Sequence, residues 1–165
     1  VRVARARGAA RVFLVEVNAE RLARAAALVK PEAAIDGATT DVVEEVRKLT
    51  GGRGADVAIT AAASGAAQEQ AQRLVAPGGR VSLFGGLPKN DPVISVDANR
   101  VHYKELSLVG ANGSSPAHNA RALELIGSGQ VPVDDLITHR PPLDAVHDAL
   151  DLVTRGVAIK VTIEP

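Results

Sequence analysis

Glu16 closes the aliphatic run VFLVEV, Val12 to Val17, and is followed by Asn18 and then by Arg21. In an open parallel sheet, ligands bind beyond the carboxyl ends of the strands. A carboxylate at such a tip can accept hydrogen bonds from both ribose hydroxyls of an adenosine and repels a 2′-phosphate, which favours NAD over NADP. The same acid could equally be a solvated strand-end group paired with Arg21. The other strand ends carry small residues: Ala61-Ala62-Ala63 after DVAIT, Gly85-Gly86 after RVSLF, and Gly110-Ala111 followed by Asn112-Gly113. Small residues let main chain approach a flat ligand closely. Each of these ends alone reads as turn chemistry; three along one sheet edge point to a ligand crevice. His102, His118, His139 and His147 show no ligand spacing, and there is no cysteine, which excludes disulfides and thiolate metal sites within the chain. Ser64 and Ser114–Ser115 lie near glycines without a GxSxG elbow, and Asp134-Asp135 reads as a solvated turn.

The elements that must position these residues alternate. A helix-like opening, Val1 to Arg7, ends at Gly8. Val12–Val17 reads as a buried parallel strand. Asn18 suits an N-cap for a helix with Leu22, Ala25, Ala26 and Val29 on one face, stopped by Pro31. Ala33–Ile35 is a weak strand, and Asp41 with Glu44 has capping-box spacing before the stripe Val42, Val43, Val46 and Leu49. Gly51–Gly54 is a loop, and Asp56–Thr60 a second buried strand. A helix over Ala66–Ala76 turns Ala67, Ala71, Leu74 and Val75 inward, and Pro77-Gly78-Gly79 breaks it. Arg80–Gly86 is a strand, Pro88–Asp97 a polar loop, and Glu105–Ala111 the last strand of the series. Strands separated by helices of about 10–15 residues imply βαβ units and a right-handed, doubly wound parallel sheet in the α/β class. Ser115 and Pro116 suit the N-cap and N1 of a helix through Ile126. A helix over Leu143–Arg155 has Val146, Ala149, Leu150 and Val153 inward, and Ala158–Ile163 is a closing strand.

Composition is consistent with this. Of 165 residues, 46% are hydrophobic but only 2% aromatic, so the core is built from Ala, Val, Leu and Ile. Net charge is zero, which argues against a nucleic-acid partner. No stretch is long and apolar enough to span a bilayer, and no signal peptide is evident, so a cytoplasmic location is the simplest reading. The chain opens without Met, in mid-element, as a fragment would.

The segments ARVFLVEVNAERLARA, TGGRGADVAI, APGGRVSLFGG, KELSLVGANGSSP and LITHRPPLDAVHDALDLVTRGVAIKVTI follow one another as in the medium-chain dehydrogenase/reductase family. Over essentially its whole length the chain resembles the zinc-dependent polyol (sorbitol), threonine and alcohol dehydrogenase branches, and Ile137–Arg140 with the pattern after it is the most specific piece. The resemblance implies a Rossmann-type fold lacking its first strand and glycine loop. It divides the chain into a partial NAD-binding domain over 1–113 and, over 114–165, helices and a strand that would pack on a missing GroES-like catalytic domain. It implies that Glu16 holds the adenosine ribose and Arg21 lies along the adenine. Ala61, Ala62 and Ala63 would line the cofactor, Phe84, Gly85 and Gly86 would meet the nicotinamide ribose and carboxamide, and Ala111 and Asn112 would form the turn beside the nicotinamide. Gly113, where Arg is frequent, and Ala62, where Thr or Ser is common, depart from the pattern. Zinc is expected only in the missing portion. The implied enzyme oxidises a small alcohol or polyol with NAD as a homodimer or tetramer, paired through the strand at Leu106–Val109. Without its central strand, the chain by itself is expected to be inactive and to aggregate, swap strands or need the missing half. Two alternatives stay open: a class I methyltransferase using S-adenosylmethionine, suggested by PGGRVSL and the strand-end acid, and a non-enzymatic binding module.

Overall fold

The computed structural model describes residues 1–165. In chain order its elements are α1 (Arg2–Ala6), β1 (Phe13–Glu16), α2 (Ala19–Val29), β2 (Ala33–Asp36), α3 (Val42–Leu49), β3 (Ala55–Thr60), α4 (Gly65–Leu74), β4 (Val75–Leu83), α5 (Ala98–Tyr103), β5 (Ser107–Gly110), α6 (Pro116–Gly127), β6 (Ile137–His139), α7 (Val146–Thr154) and β7 (Lys160–Val161). They fall into two compact units, Val1–Thr40 with Ser115–Pro165, and Asp41–Ser114. All strand pairing is parallel: β1 with β2, β3 with β4 and β4 with β5, and β6 with β7.

Five of the seven α-helices start where short polar side chains replace the missing intrahelical acceptors. Asn18 accepts the Arg21 N–H at 2.9 Å to open α2, and Asp41 accepts those of Val43 and Glu44 to open α3. Ser115 and His118 form a reciprocal capping box on α6, with Pro116 at N1. The α2 helix ends at Lys30 in the left-handed region, φ 45°, and the Pro31 after it cannot continue the helix.

In the first unit α2 packs on β1 and β2, and Leu22 and Ile35 are buried. Two arginines of α1 bind the end of α2. Arg2 donates to the Leu28 carbonyl at 2.9 Å and Arg5 to those of Val29, at 2.8 Å, and Lys30. Cations here meet the unpaired carbonyls and the negative end of the helix dipole. Arg2 also donates to the Pro132 carbonyl at 2.7 Å and pairs with Asp135, while Arg5 pairs with Glu32 at 2.7 Å. The other Glu32 oxygen accepts the Val12 N–H. In the second unit, Ala71, Val75, Val81 and Leu106 form a buried cluster against which Ala58, Leu83, Val101 and Leu108 pack.

The structure departs from the sequence reading at β4, α5, β6, the exposure of β1 and β3, and α7. Val75 and Ala76 belong to β4, not to the preceding helix. β4 stays extended through Pro77-Gly78-Gly79 by a large bulge: β3 advances from Ala55 to Val57 while its partner runs from Val75 to Arg80. The short helix α5, capped by Asp97, and strand β6 were not expected. The strands β1 and β3 are not buried as their aliphatic composition suggests: Val15 is exposed, Val57 is 49% exposed and Ile59 59%. Val57 and Ile59 share one face of β3, opposite the face that carries the half-buried Ala58 and the buried Thr60. On α7 only Ala149 is buried; Leu150 and Val153 stay 59% and 56% exposed and line an apolar groove of about 170 Å³ with Val146, Val161 and Ile163.

The Glu32 contacts carry a pH signature. The Val12 N–H, with the Arg5 guanidinium second, holds its carboxyl down at about 2, against about 4.3 for an unperturbed Glu. A lowered folded-state value contributes stability in full above the unfolded value, and that contribution is lost as pH falls through the folded one. Thermal melts should therefore lose a Glu32-dependent component between about pH 4.3 and about pH 2. Glu32→Gln should flatten that limb, and an acid limb unchanged in the variant would contradict the assignment.

Candidate cofactor site

The second unit sets three strand tips level. Register places Thr60 of β3 beside Leu83 of β4, and Leu83 beside Gly110 of β5. The residues that leave these tips are Ala61–Ala63, Phe84–Gly86 and Ala111–Asn112. The ladder continues one step past β4: the Gly85 N–H donates to the Thr60 carbonyl at 2.7 Å, and the Ala111 N–H to the Leu83 carbonyl at 3.2 Å. Gly85 passes so close to Ala62 that a Cβ there would lie 2.6 Å from the Ala62 carbonyl oxygen. Around Gly86 nothing lies within 4 Å of such a Cβ. Ala61, Ala62, Ala63, Ala111 and Asn112 are exposed, and the Phe84 ring is 62% exposed. The structure thus brings the small-residue ends of β3, β4 and β5 together, with main chain and one aromatic ring facing solvent.

A buried amide fixes one tip from beneath. Gln68 on α4 is almost fully buried and donates to the Gly85 carbonyl at 2.8 Å. One turn on, buried Gln72 donates to the Ser95 carbonyl at 2.9 Å and accepts the Asp97 N–H at 3.2 Å. Glu69 accepts the Ser95 N–H at 2.8 Å. Together, α4 ties down both ends of the loop between β4 and α5. Hydrophobic spacing missed Gln68 and Gln72, although their separation of four places them on the helix face that carries Ala71.

In the first unit Glu16 and Arg21 are brought together. Arg21 Nε meets Glu16 Oε2 at 2.6 Å and its Nη2 meets Oε1 at 2.8 Å, a forked pair. Oε1 also accepts the Val17 N–H at 2.8 Å and the Asn18 N–H at 3.0 Å. The Arg21 guanidinium, assisted by these N–H groups, holds the Glu16 carboxyl below its usual range. The paired alternative for Glu16 is therefore realised. Oε2 has a single donor, however, and a carboxylate oxygen offers two acceptor sites, so room for one hydroxyl remains.

Elsewhere the chemistry is sparse. No group of three or more His, Cys, Asp and Glu side chains stands close enough to hold a metal ion, so this chain's residues do not fit a zinc site. His139 Nδ1 contacts the Thr138 hydroxyl at 2.9 Å, and His118 serves its helix cap. A polar concavity of about 440 Å³, lined by residues of α3 and α4 with Asp41, includes no strand-tip residue.

Alternating parallel βα units, bare main chain at level tips in one and an acid ending a strand in the other, are features of the nucleotide-binding class of α/β domains. Residues 1–128 match the family model described as zinc-binding dehydrogenase, and the chain belongs to that family, corresponding to the C-terminal NAD(P)-binding part of such proteins. A sorbitol dehydrogenase of Bombyx mori is 32% identical over 97% of this chain and 45% of its own length. Among solved structures, an alcohol dehydrogenase of Thermotoga maritima superposes with TM-score 0.89 at 27% identity, over 100% of this chain and 46% of that one. A zinc-binding dehydrogenase of Sinorhizobium meliloti, solved bound to NADP, gives 0.87 at 29% identity, over 100% and 48%. The chain spans about half the length of the curated relatives it matches. The methyltransferase alternative finds no support among them.

The closeness of Gly85 to Ala62 makes a sharp contrast testable. Gly85→Ala must displace backbone and should cost about 1–3 kcal/mol, as overpacking does, lowering Tm by several degrees. Gly86→Ala, facing open space, should leave Tm nearly unchanged. Equal effects in urea or thermal unfolding would refute the close approach.

Proposed function

We propose that the chain is the cofactor-holding portion of an NAD-dependent, zinc-type dehydrogenase that oxidises a small alcohol or polyol. The observation that carries this reading is the level register of β3, β4 and β5, which leaves the main chain of Ala61–Ala63, Phe84–Gly86 and Ala111–Asn112 bare at the carboxyl ends of parallel strands. Glu16 Oε2 accepts a hydroxyl of the adenosine ribose, and Arg21 both orients that carboxylate and lies along the adenine. The bare tips meet the nicotinamide end, with Gln68 aiming the Gly85 carbonyl. Bound NAD supplies the hydride acceptor; the residues here bind and orient it and make no bonds themselves. The metal of a zinc-type enzyme would be held by residues of the portion its longer relatives possess, so no step is derived through it.

In this reading residues 1–113 are the partial nucleotide-binding domain and 114–165 the segment that packs on the catalytic domain, with the groove at Leu150 and Val153 available for that contact. A cytoplasmic location is part of this reading, and no helix is long and apolar enough to cross a membrane. It is a homodimer or tetramer joined through the free edge of β5, where Val109 is exposed.

Calorimetric titration of the 165-residue chain with NADH and, separately, with S-adenosylmethionine tests the reading. NADH should bind and S-adenosylmethionine should not, and Glu16→Ala should weaken NADH by about tenfold, the loss of roughly one charge-assisted hydrogen bond. With the chain monodisperse by size-exclusion chromatography and folded by circular dichroism, indifference to NADH would overturn the proposal in favour of a binding module. The chain alone should not turn over alcohols when zinc is added; turnover at an ordinary dehydrogenase rate would overturn the view that it lacks the catalytic half.

A further inference from the structure

The tip of the β1–β2 pair carries two carboxylates, and the structure treats them differently. Parallel register sets Glu16 directly beside Asp36, so the two side chains leave the same face of the sheet from strands about 4.8 Å apart. Glu16 is forked by Arg21 and accepts two main-chain N–H groups, so the pair sums to almost no charge at a distance. Asp36 has no arginine. Its Oδ1 accepts the Ala38 N–H at 2.9 Å, and its main chain is fixed by the next rung, where the Gly37 N–H donates to the Glu16 carbonyl at 3.0 Å. Gly37 itself has little room to move, because a Cβ there would stand 3.2 Å from Val15 Cγ1. The tip therefore presents one uncompensated negative charge, and it belongs to Asp36.

We infer that Asp36 is the specificity-determining residue that excludes a 2′-phosphate from the adenosine ribose held at this tip, while Glu16 supplies the hydrogen bond. The inference rests on the ribose reading of Glu16 given above. With Glu16 neutralised and Arg21 still carrying a free Nη1, the Glu16–Arg21 pair by itself would tolerate a phosphate. The charge at Asp36 opposes it. A doubly charged phosphate roughly 6 Å from a carboxylate in a water-like dielectric is disfavoured by about tenfold, and added salt weakens the effect.

The test is a two-dimensional NMR titration of the 165-residue chain with adenosine and with adenosine 2′-monophosphate, on the wild type, Asp36→Asn and Glu16→Gln. Asn keeps an acceptor for the Ala38 N–H, so the turn is preserved. Asp36→Asn should raise the affinity for the 2′-phosphate about tenfold at low ionic strength and leave adenosine unchanged, and the gain should shrink at high salt. Glu16→Gln should weaken both ligands. If Asp36→Asn leaves the ratio of the two affinities as it was while Glu16→Gln still weakens adenosine, the role of Asp36 is overturned and the ribose reading stands. If the wild-type spectrum is dispersed as a folded chain's is and adenosine does not bind, or binds wild type and Glu16→Gln alike, the ribose reading falls and Asp36 with it.

Discussion

Parallel pairing is the constraint on which the rest of this molecule depends. A parallel strand cannot be reached by a tight turn, so each pair needs a helix between its members, and the helix returns the chain to the same end each time. The carboxyl tips therefore collect on one side by geometry alone. In the second unit Thr60, Leu83 and Gly110 lie level because β3, β4 and β5 are hydrogen-bonded in register, and the residues just past each tip are mostly small. Gly85 shows how tightly this is drawn, since its contact with Ala62 leaves no volume for a side chain. The bare surface at these tips is a product of the register more than of any one residue.

The electrostatics of the first unit show a similar economy. Its helix ends and strand tips are served by arginines that each do several things. Arg21 forks Glu16 and begins α2 through the Asn18 cap. Arg2 and Arg5 meet the last carbonyls of α2 while pairing with Asp135 and Glu32. Exposed ion pairs of this kind contribute little singly, but here they coincide with main-chain groups that would otherwise lack partners.

The features legible in the sequence are the local ones. Asn18, Asp41 and Ser115 announce their helices because a cap acts within three residues, and the strands β1, β3, β4 and β5 stand out as aliphatic runs between helical stripes, β2 only weakly. The acid at Glu16 and the small residues at 61–63, 85–86 and 110–112 can be placed at strand ends for the same reason. The hidden features depend on partners distant in sequence. The exposure of Val57 and Ile59 reflects what covers each face of β3, and no local pattern carries that. β4 continues through Pro77 because β3 pairs with both sides of its bulge. Gln68 looks polar and therefore outward until the Gly85 carbonyl, seventeen residues on, supplies its acceptor. Glu16 is readable as either a ribose acceptor or a partner of Arg21; the ion pair is formed, and it still leaves an acceptor site on Oε2.

The ties made by Arg2 also bear on how the chain acquires its shape during synthesis. The unit Asp41–Ser114 is one uninterrupted stretch, and all the pairing within its three-stranded sheet is made inside it. The other unit is discontinuous, and Arg2 reaches partners 130 and 133 residues away. Contacts of such separation are slow to form, and on a ribosome they cannot form until the later partner has emerged. The middle of the chain can therefore settle first, while the amino-terminal helix waits for Pro132 and Asp135 to arrive.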